Sequence, residues 1–211
     1  MKEYHKIQTV FLRDPATNYK TLLEGTYALP EFEYLKNNGW VFTEKVDGTN
    51  IRVMFDGETL TFGGKTDRAS IPASLVNKLN ERFLPQVDLF KEHFSEGVCL
   101  YGEGYGAKIQ SGGKYRPDQD FVLFDILIGE WWLKREDVEG IAKIFSLGVV
   151  PILYIGTLID ILPFVKDGFS STWGDFQAEG IVARPAVELK ARDGSRIITK
   201  LKHKDFGVKG G

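Results

Sequence analysis

Cysteine and histidine are scarce in this 211-residue sequence, which contains one cysteine and three histidines. A single cysteine, Cys99, excludes an internal disulfide and a cysteine-rich zinc site. Because Cys99 lies in the apolar run 98–100, we expect it to be a buried structural thiol. The histidines are too widely spaced in the sequence to indicate a metal triad. Disulfide-stabilised and zinc-cluster proteins are therefore excluded.

Long hydrophobic runs are also missing. No segment approaches the roughly 20 apolar residues of a membrane span. The amino terminus, which reads MKEYH, lacks the apolar core of a signal peptide. We therefore expect an intracellular, cytoplasmic protein that has no membrane partner and is a monomer.

Neither sign of charge dominates, since 27 lysines and arginines face 29 acidic residues and the net charge is −2. With a pI near 6.0, the whole chain offers no electrostatic case for nucleic-acid binding. Residues 184–209, however, contain eight basic and three acidic side chains. This local excess suits a polyanion site, although a solvated hairpin face would have the same composition.

Strand patterns dominate the sequence, and no repeat, low-complexity tract or linker divides it. The predicted strands cover residues 40–46, 51–55, 59–62, 98–102, 121–128, 149–155, 180–183, 187–191 and 196–202. Ser70 and Pro72 predict the start of one helix, and the apolar spacing over 136–147 predicts another. Many strands joined by hairpins predict one α+β domain with antiparallel sheets over residues 1–211.

The most informative segment is 43–52, which reads TEKVDGTNIR. Its lysine, Lys45, ends a predicted strand and precedes a glycine turn. The strand end would hold the backbone of Lys45 rigidly, with its amine pointing outward. Lys-x-Asp-Gly alone is weak evidence, because a surface turn often contains these residues. Four further elements follow in order: Gly102-Glu103-Gly104, the strand containing Phe124-Asp125, Glu179-Gly180-Ile181-Val182, and Lys200-Leu201-Lys202.

These five elements resemble the motifs of the covalent nucleotidyltransferase superfamily, which comprises DNA ligases, RNA ligases and mRNA capping enzymes. Thr49-Asn50 resembles the RNA ligases that seal nicked duplexes, and residues 6–14 are similar to the amino terminus of small phage-type members. The resemblance covers residues 5–206. It implies an ATP-dependent RNA ligase with an antiparallel nucleotidyltransferase (adenylyltransferase) domain, and it is compatible with a phage origin.

The resemblance also implies roles for individual residues. Lys45 would attack the α-phosphorus of ATP, expel pyrophosphate and hold AMP covalently, with Lys200 and Lys202 gripping the α-phosphate. Glu179 would bind Mg²⁺ or Mn²⁺, Phe124 would stack on adenine, and Asn50 and Arg52 would contact ribose or the nucleic-acid end. The residues expected to contact the nucleotide are Glu44, Asp47, Gly48, Asn50, Arg52, Glu103, Phe124, Lys200 and Lys202.

Elementary chemistry agrees with these roles. A lysine near its usual pKa of about 10.4 is protonated at neutral pH and cannot attack. Neighbouring cations such as Lys200 and Lys202 lower the pKa of Lys45, and the carboxylate of Glu179 suits a hard metal ion. Strand alternation places Asp125 away from Phe124, so we expect Asp125 to support a nearby cation.

One position departs from the family pattern. Members usually have an arginine about twenty residues after the nucleophile, which helps to bind the nucleic-acid end. Here the stretch 63–68 reads GGKTDR, so Lys65 or Arg68 fills that place. A lysine carries a point charge, whereas the guanidinium of arginine donates two hydrogen bonds to one phosphate. Lysine at this position would therefore bind the nucleic-acid end in a different way.

Several alternatives stay open. A DNA ligase core and a capping guanylyltransferase share the motifs, and the joined strands are RNA, DNA or an RNA/DNA hybrid, at ends or at nicks. A different class is a nucleic-acid-binding module without catalysis. Only nine residues follow Lys202, which leads us to expect no separate carboxy-terminal domain and weak, salt-sensitive binding of nucleic acid.

Overall fold

The structure of the protein, a computed structural model, describes residues 2–207. Its strands are β1 (Gln8–Thr9), β2 (Phe11–Arg13), β3 (Leu22–Tyr27), β4 (Trp40–Glu44), β5 (Thr49–Phe55), β6 (Leu60–Gly63), β7 (Val98–Gly106), β8 (Gln119–Ile128), β9 (Trp131–Trp132), β10 (Gly148–Val149), β11 (Ile152–Gly156), β12 (Gly180–Pro185) and β13 (Thr199–Lys202). Its α-helices are α1 (Pro30–Tyr34), α2 (Ala73–Phe83), α3 (Val87–His93), α4 (Arg135–Ile144) and α5 (Leu158–Asp167).

Strand pairing is predominantly antiparallel. Parallel pairing is confined, within residues 2–207, to the short strands β1 with β13 and β10 with β8. Antiparallel ladders join β4, β11, β12 and β13 in one sheet and β5 to β9 in another. The predicted α+β class with antiparallel sheets is confirmed.

The chain folds into two compact units. The first contains Met1–His5 and Asp47–Val150, and the second contains Lys6–Val46 and Pro151–Gly211. We call them the Asp47 unit and the Lys45 unit, because the chain passes from one to the other inside the Lys-Val-Asp-Gly motif. That all 211 residues form one domain stays a prediction.

The Lys45 unit is built on a five-stranded sheet in the order β1-β13-β12-β4-β11. Its core contains Trp40 and Phe42 of β4 together with apolar residues of β12, β13 and α5. Helix α5 was not predicted, because Pro163 interrupts its pattern. Its capping box was readable in the sequence, since Thr157 and Asp160 bond each other's backbone N–H groups.

The Asp47 unit is built on a sheet in the order β10-β8-β7-β5-β6, with β9 paired to β8. Alternate residues of β5, Ile51, Val53 and Phe55, are buried against one side of α2. Helix α2 begins directly after Pro72, and α4 occupies most of the predicted helix over 136–147. The period-2 and period-3.6 apolar patterns therefore identified this core.

Two predicted strands differ from the observed ones. The strand over 149–155 is divided at Val150–Pro151 between β10 and β11, because proline cannot donate a ladder hydrogen bond. The predicted hairpin over 187–202 contains an isolated bridge between Lys190 and Arg196, and regular pairing begins only at β13. The turn at Gly194 was correctly anticipated, with a φ of 83°.

Gly48 lies where two backbones approach closely. A Cβ at this position would overlap the carbonyl oxygen of Gly104 and lie 2.8 Å from Cγ of Glu103, both on the neighbouring strand β7. Gly140, inside α4, has no heavy atom of another residue within 4 Å of the equivalent position. Glycine is thus required at 48 for steric reasons but not at 140.

We predict opposite effects of alanine at these two glycines. Gly48→Ala should destabilise the protein by about 1–3 kcal/mol, because the β5–β7 ladder must shift. Gly140→Ala should stabilise α4 by up to about 1 kcal/mol, because alanine has the higher helix propensity. Thermal unfolding should show the melting temperature falling in the first variant and rising in the second. Equal melting temperatures would contradict the steric argument.

Candidate active site

The backbone holds Lys45 rigidly. Strand β4 ends at Glu44, which pairs with Ile181 of β12, and the Lys45 N–H donates to the Gly180 carbonyl at 2.9 Å. The Lys45 side chain is partly exposed, and its Nζ lies 2.6 Å from Oε2 of Glu179. The first and fourth sequence motifs therefore meet across one antiparallel ladder of the Lys45 unit.

The Lys-x-Lys motif adds a second ammonium group to the same carboxylate. Strand β13 buries Thr199 and Leu201 on one face and leaves Lys200 and Lys202 half-buried on the other, as strand alternation predicts. Nζ of Lys202 lies 2.5 Å from Oε1 of Glu179. Glu179 therefore bridges Lys45 and Lys202, and Lys200 lies two residues along the same face.

The electrostatics of this cluster are those of a carboxylate between two cations. Burial favours the protonated form of Glu179, but Lys45 and Lys202 outweigh it and hold the pKa of Glu179 below its ordinary value. The carboxylate is therefore ionised at neutral pH.

No group of three histidine, cysteine or acidic side chains arranged to hold a metal occurs within residues 2–207. The donor available at the cluster is the single carboxylate of Glu179, which lies between Lys45 and Lys202. Mg²⁺ is commonly held by one or two carboxylates together with substrate phosphates and water. The donor set thus fits a metal that arrives with a nucleotide.

In the Asp47 unit, Asn50 and Glu103 face each other across the β5–β7 ladder. Glu103 and Asn50 are both half-buried. Oδ1 of Asn50 is buried and accepts no hydrogen bond from residues 2–207. A hydroxyl of a bound molecule would satisfy this acceptor.

Phe124 lies in a β-bulge. The register between β7 and β8 pairs Tyr101 with Asp125 and Gly102 with Leu123, so that Phe124 is the extra residue. Its ring is half-buried although both neighbours are buried. Bulges redirect side chains and are frequent beside active sites. This one coincides with the partial exposure of Phe124.

Tyr4 contacts both Asp125 and Phe124. Its hydroxyl donates to Oδ2 of Asp125 at 2.8 Å, and its ring lies edge-on to Phe124 at 5.1 Å. That Asp125 supports a nearby cation stays a prediction. Tyr4 was not anticipated, because nothing in the sequence links residues 121 positions apart.

Arg52 supports a loop from beneath. Its guanidinium is buried, with Nε donating to the Gly64 carbonyl at 2.8 Å and Nη2 to Asp67 at 2.7 Å. The structure therefore differs from the expectation that Arg52 reaches a nucleotide or a nucleic-acid end. Lys65 and Arg68, the candidates for end binding, are both exposed on the loop that Arg52 holds.

Asp47 is tied to a second loop. Its N–H donates to the Tyr115 hydroxyl at 3.1 Å, and its carboxylate accepts from the Ser111 N–H at 3.3 Å. The sequence analysis anticipated neither partner. Asp47 thus fixes the segment that contains Ser111 and Tyr115 to the start of β5.

Glu44 also differs from its expected role. Its side chain is 1% exposed, and both oxygens accept hydrogen bonds from Ser171 and Thr172. A direct contact between this carboxylate and a nucleotide is incompatible with that burial.

Not all basic side chains of residues 184–209 are exposed, so fewer of them can contact a polyanion than the composition indicated. The Arg196 side chain is 4% exposed and pairs with Glu188 at 2.6 Å, whereas Lys190 and Arg192 are exposed. Lys209 lies outside the described residues.

Within residues 2–207, no helix has the length and apolar character needed to cross a membrane.

Several solved structures share this fold. A lysine-to-alanine mutant of Naegleria gruberi RNA ligase with ATP and Mn has a TM-score of 0.69 and 19% identity, over 96% of this chain and 56% of that one. A lysine-to-methionine mutant of the same ligase with AMP and Mn has a TM-score of 0.65 and 20% identity, over 97% of this chain and 61% of that one. The same ligase with PPi has a TM-score of 0.65 and 19% identity, over 96% of this chain and 58% of that one.

The chain thus spans little more than half the length of these structures. At such low identity the likeness establishes the fold alone. A family model described as RNA ligase matches residues 38–202, which is well over half of the chain and includes all five motifs. This chain belongs to the RNA ligase family.

Proposed function

We propose that this protein is an ATP-dependent RNA ligase that transfers AMP through Lys45. The observation that carries the proposal is the Lys45–Glu179–Lys202 cluster, in which a strand-end lysine meets a buried carboxylate and a second lysine. A surface turn would not require this arrangement. The family match supports the reaction class, and the Naegleria gruberi structures with ATP, AMP and Mn support the choice of cofactors.

The first step is attack by Lys45 on ATP. After the ammonium gives its proton to solvent water, the Nζ lone pair forms a bond to the α-phosphorus. The bond to the leaving pyrophosphate breaks, and pyrophosphate departs with the electron pair. The product is lysyl-AMP, and Lys200 and Lys202 stabilise the charge on the α-phosphate as it reacts.

Glu179 has two roles in this proposal. Without nucleotide it pairs with both lysines, and with nucleotide it is the carboxylate that holds Mg²⁺ or Mn²⁺. The metal supplies charge neutralisation on the reacting phosphates. A Glu179 that holds the metal would no longer pair with Lys45, whereas Lys202 would remain beside it. Loss of the anion, with the cation still close, would lower the pKa of Lys45.

We also propose nucleotide contacts for residues of the Asp47 unit. Phe124 stacks on adenine, and Oδ1 of Asn50 accepts from a ribose hydroxyl, with Glu103 beside it. Gly48 permits the close approach of β7, and Asp47 orders the neighbouring loop.

The later steps join nucleic-acid ends. A 5′-phosphate oxygen attacks the phosphorus of lysyl-AMP and releases the lysine, and a 3′-hydroxyl then attacks the activated 5′-phosphate and expels AMP. We propose RNA ends or nicks as substrates, with DNA and RNA/DNA hybrids as outcomes to be tested. A monomeric intracellular protein remains the prediction from the sequence. A binding module without catalysis would not need the Lys45–Glu179 pair.

We predict that Lys45→Ala abolishes covalent labelling by ATP. Incubation with α-labelled ATP and Mg²⁺, denaturation and electrophoresis measures lysyl-AMP directly. Lys166→Ala is the matched control, because Lys166 also contacts a glutamate, Glu24, at 2.8 Å but lies on an exposed surface. Wild-type labelling of the Lys45 variant would refute the nucleophile assignment, and an unlabelled wild type would refute the function.

Alanine at Lys200 or at Lys202 should slow self-adenylylation by about ten- to a hundredfold, equivalent to roughly 1.4–3 kcal/mol of barrier. The loss of a neighbouring cation should also shift the pH–rate profile to higher pH, because Lys45 then deprotonates less readily. Rates measured from pH 6 to pH 10 test both points. Unchanged rates and profiles would remove the two lysines from the site.

End binding should depend on salt far more than adenylylation does. Phosphate contacts release counterions, so affinity for a 5′-phosphorylated RNA should fall steeply between about 50 and 200 mM salt. Lys65→Ala and Arg68→Ala should weaken this binding while lysyl-AMP forms normally. Fluorescence anisotropy with RNA, DNA and hybrid strands measures it. Tight, salt-insensitive binding of the RNA would contradict the prediction that phosphate contacts supply most of the affinity.

A further inference from the structure

The residue before the proposed nucleophile has an unusual environment. Glu44 is 1% exposed and ionisable, and its carboxylate accepts three hydrogen bonds. Ser171 Oγ donates to Oε1 at 2.5 Å, and Thr172 donates to Oε2 through its N–H at 2.9 Å and its hydroxyl at 2.7 Å. Burying a carboxylate is costly, so this arrangement calls for a reason beyond packing.

The anchored segment is internally braced. The Ser171 N–H donates to the Phe176 carbonyl at 2.8 Å, and the Ala178 N–H donates to the Phe169 carbonyl at 2.9 Å. The Trp173 N–H donates to Ser171 Oγ at 3.1 Å. Residues 169–178 therefore form a compact loop that Glu44 fixes at one point, and this loop leads directly to Glu179.

Glu44 and its neighbour thus connect to both sides of Glu179. The Glu44 side chain holds the loop before Glu179, and the Lys45 backbone N–H bonds to Gly180, the residue after it. The Lys45–Glu179 ion pair is consequently fixed from two directions along the chain. Loss of either attachment would let the carboxylate move relative to the amine.

We propose that Glu44 is a positioning residue, which sets Glu179 against Lys45 by anchoring the loop at Ser171 and Thr172. The inference rests on the proposed role of Lys45. It assigns Glu44 an action through other residues and no contact with ATP. A carboxylate suits the position because it offers acceptors to all three donors, whereas an amide would turn N–H groups toward one of them.

The test compares Glu44→Gln with a double variant, Ser171→Ala with Thr172→Val, which removes the two donor hydroxyls but keeps the carboxylate. Single-turnover adenylylation should slow about tenfold in each at saturating ATP, because the carboxylate proposed to hold the metal is no longer kept in place. The ATP concentration for half-maximal rate should change less than twofold, because nucleotide contacts are intact. Combining all three substitutions should cost little more than either variant alone, because they break one connection.

Asp56→Asn is the matched control. Asp56 also accepts three hydrogen bonds, from the N–H groups of Glu58 and Thr59 and from the Thr59 hydroxyl, but at a turn of the Asp47 unit. Its substitution should leave the adenylylation rate unchanged. Thermal melting of every variant identifies any that is unfolded at the assay temperature, and the double variant carries the test if Glu44→Gln does not fold.

A second measurement does not depend on activity. The pH dependence of Lys45 acylation by an amine reagent, located by mass spectrometry, reports how closely Glu179 approaches the amine. A nearby carboxylate favours the ammonium, so the midpoint should move to lower pH by about half a pH unit or more in the double variant, which keeps the charge of Glu44. Asp56→Asn should not move it.

The outcomes separate the two proposals. A wild type that never forms lysyl-AMP refutes the proposed function, while the acylation midpoint still decides whether Glu44 positions the pair. Folded variants with wild-type rates and midpoints would overturn the positioning role. So would a slower reaction explained wholly by weaker ATP binding. A partial return of rate in Glu44→Asp, which keeps the charge on a shorter side chain, is the expected supporting result.

Discussion

The carboxylate of Glu179 is the feature on which the rest of the Lys45 unit depends. It lies 2.6 Å from Lys45 and 2.5 Å from Lys202, and these contacts join residues from the ends of three strands. A buried carboxylate between two ammonium groups is stable only while both cations remain close. Strands β4, β12 and β13 must therefore keep their register, and the apolar core beneath them maintains it.

The same carboxylate has two parts in the proposed function. It pairs with Lys45 in this structure, and it is the proposed metal ligand. Under the proposed function, Glu179 would leave Lys45 when it holds the metal that accompanies ATP. Activation of Lys45 would then be linked to the arrival of its substrate.

Several buried polar residues fix a loop or a side chain within their own unit. Glu44 anchors the loop before Glu179, Arg52 holds the loop that contains Lys65, and Tyr4 packs against both Asp125 and Phe124. Glu44 and Arg52 were predicted from the motifs to contact a ligand. A sequence motif records that a side chain is needed, whereas its burial decides whether it touches a ligand or supports another residue.

The sequence by itself determined the α+β class, the positions of most strands, the existence of α2 and α4, and the order of the five motifs. Period-2 and period-3.6 patterns are local, so they can be recognised without knowledge of the fold. Only the tertiary structure decided that Lys45 and Lys202 share Glu179, that Phe124 lies in a bulge, and that the side chains of Glu44 and Arg52 are buried. It also divided the predicted strand at Val150–Pro151 between two units. These outcomes depend on contacts between residues tens to more than a hundred positions apart, and on burial, which no local pattern specifies.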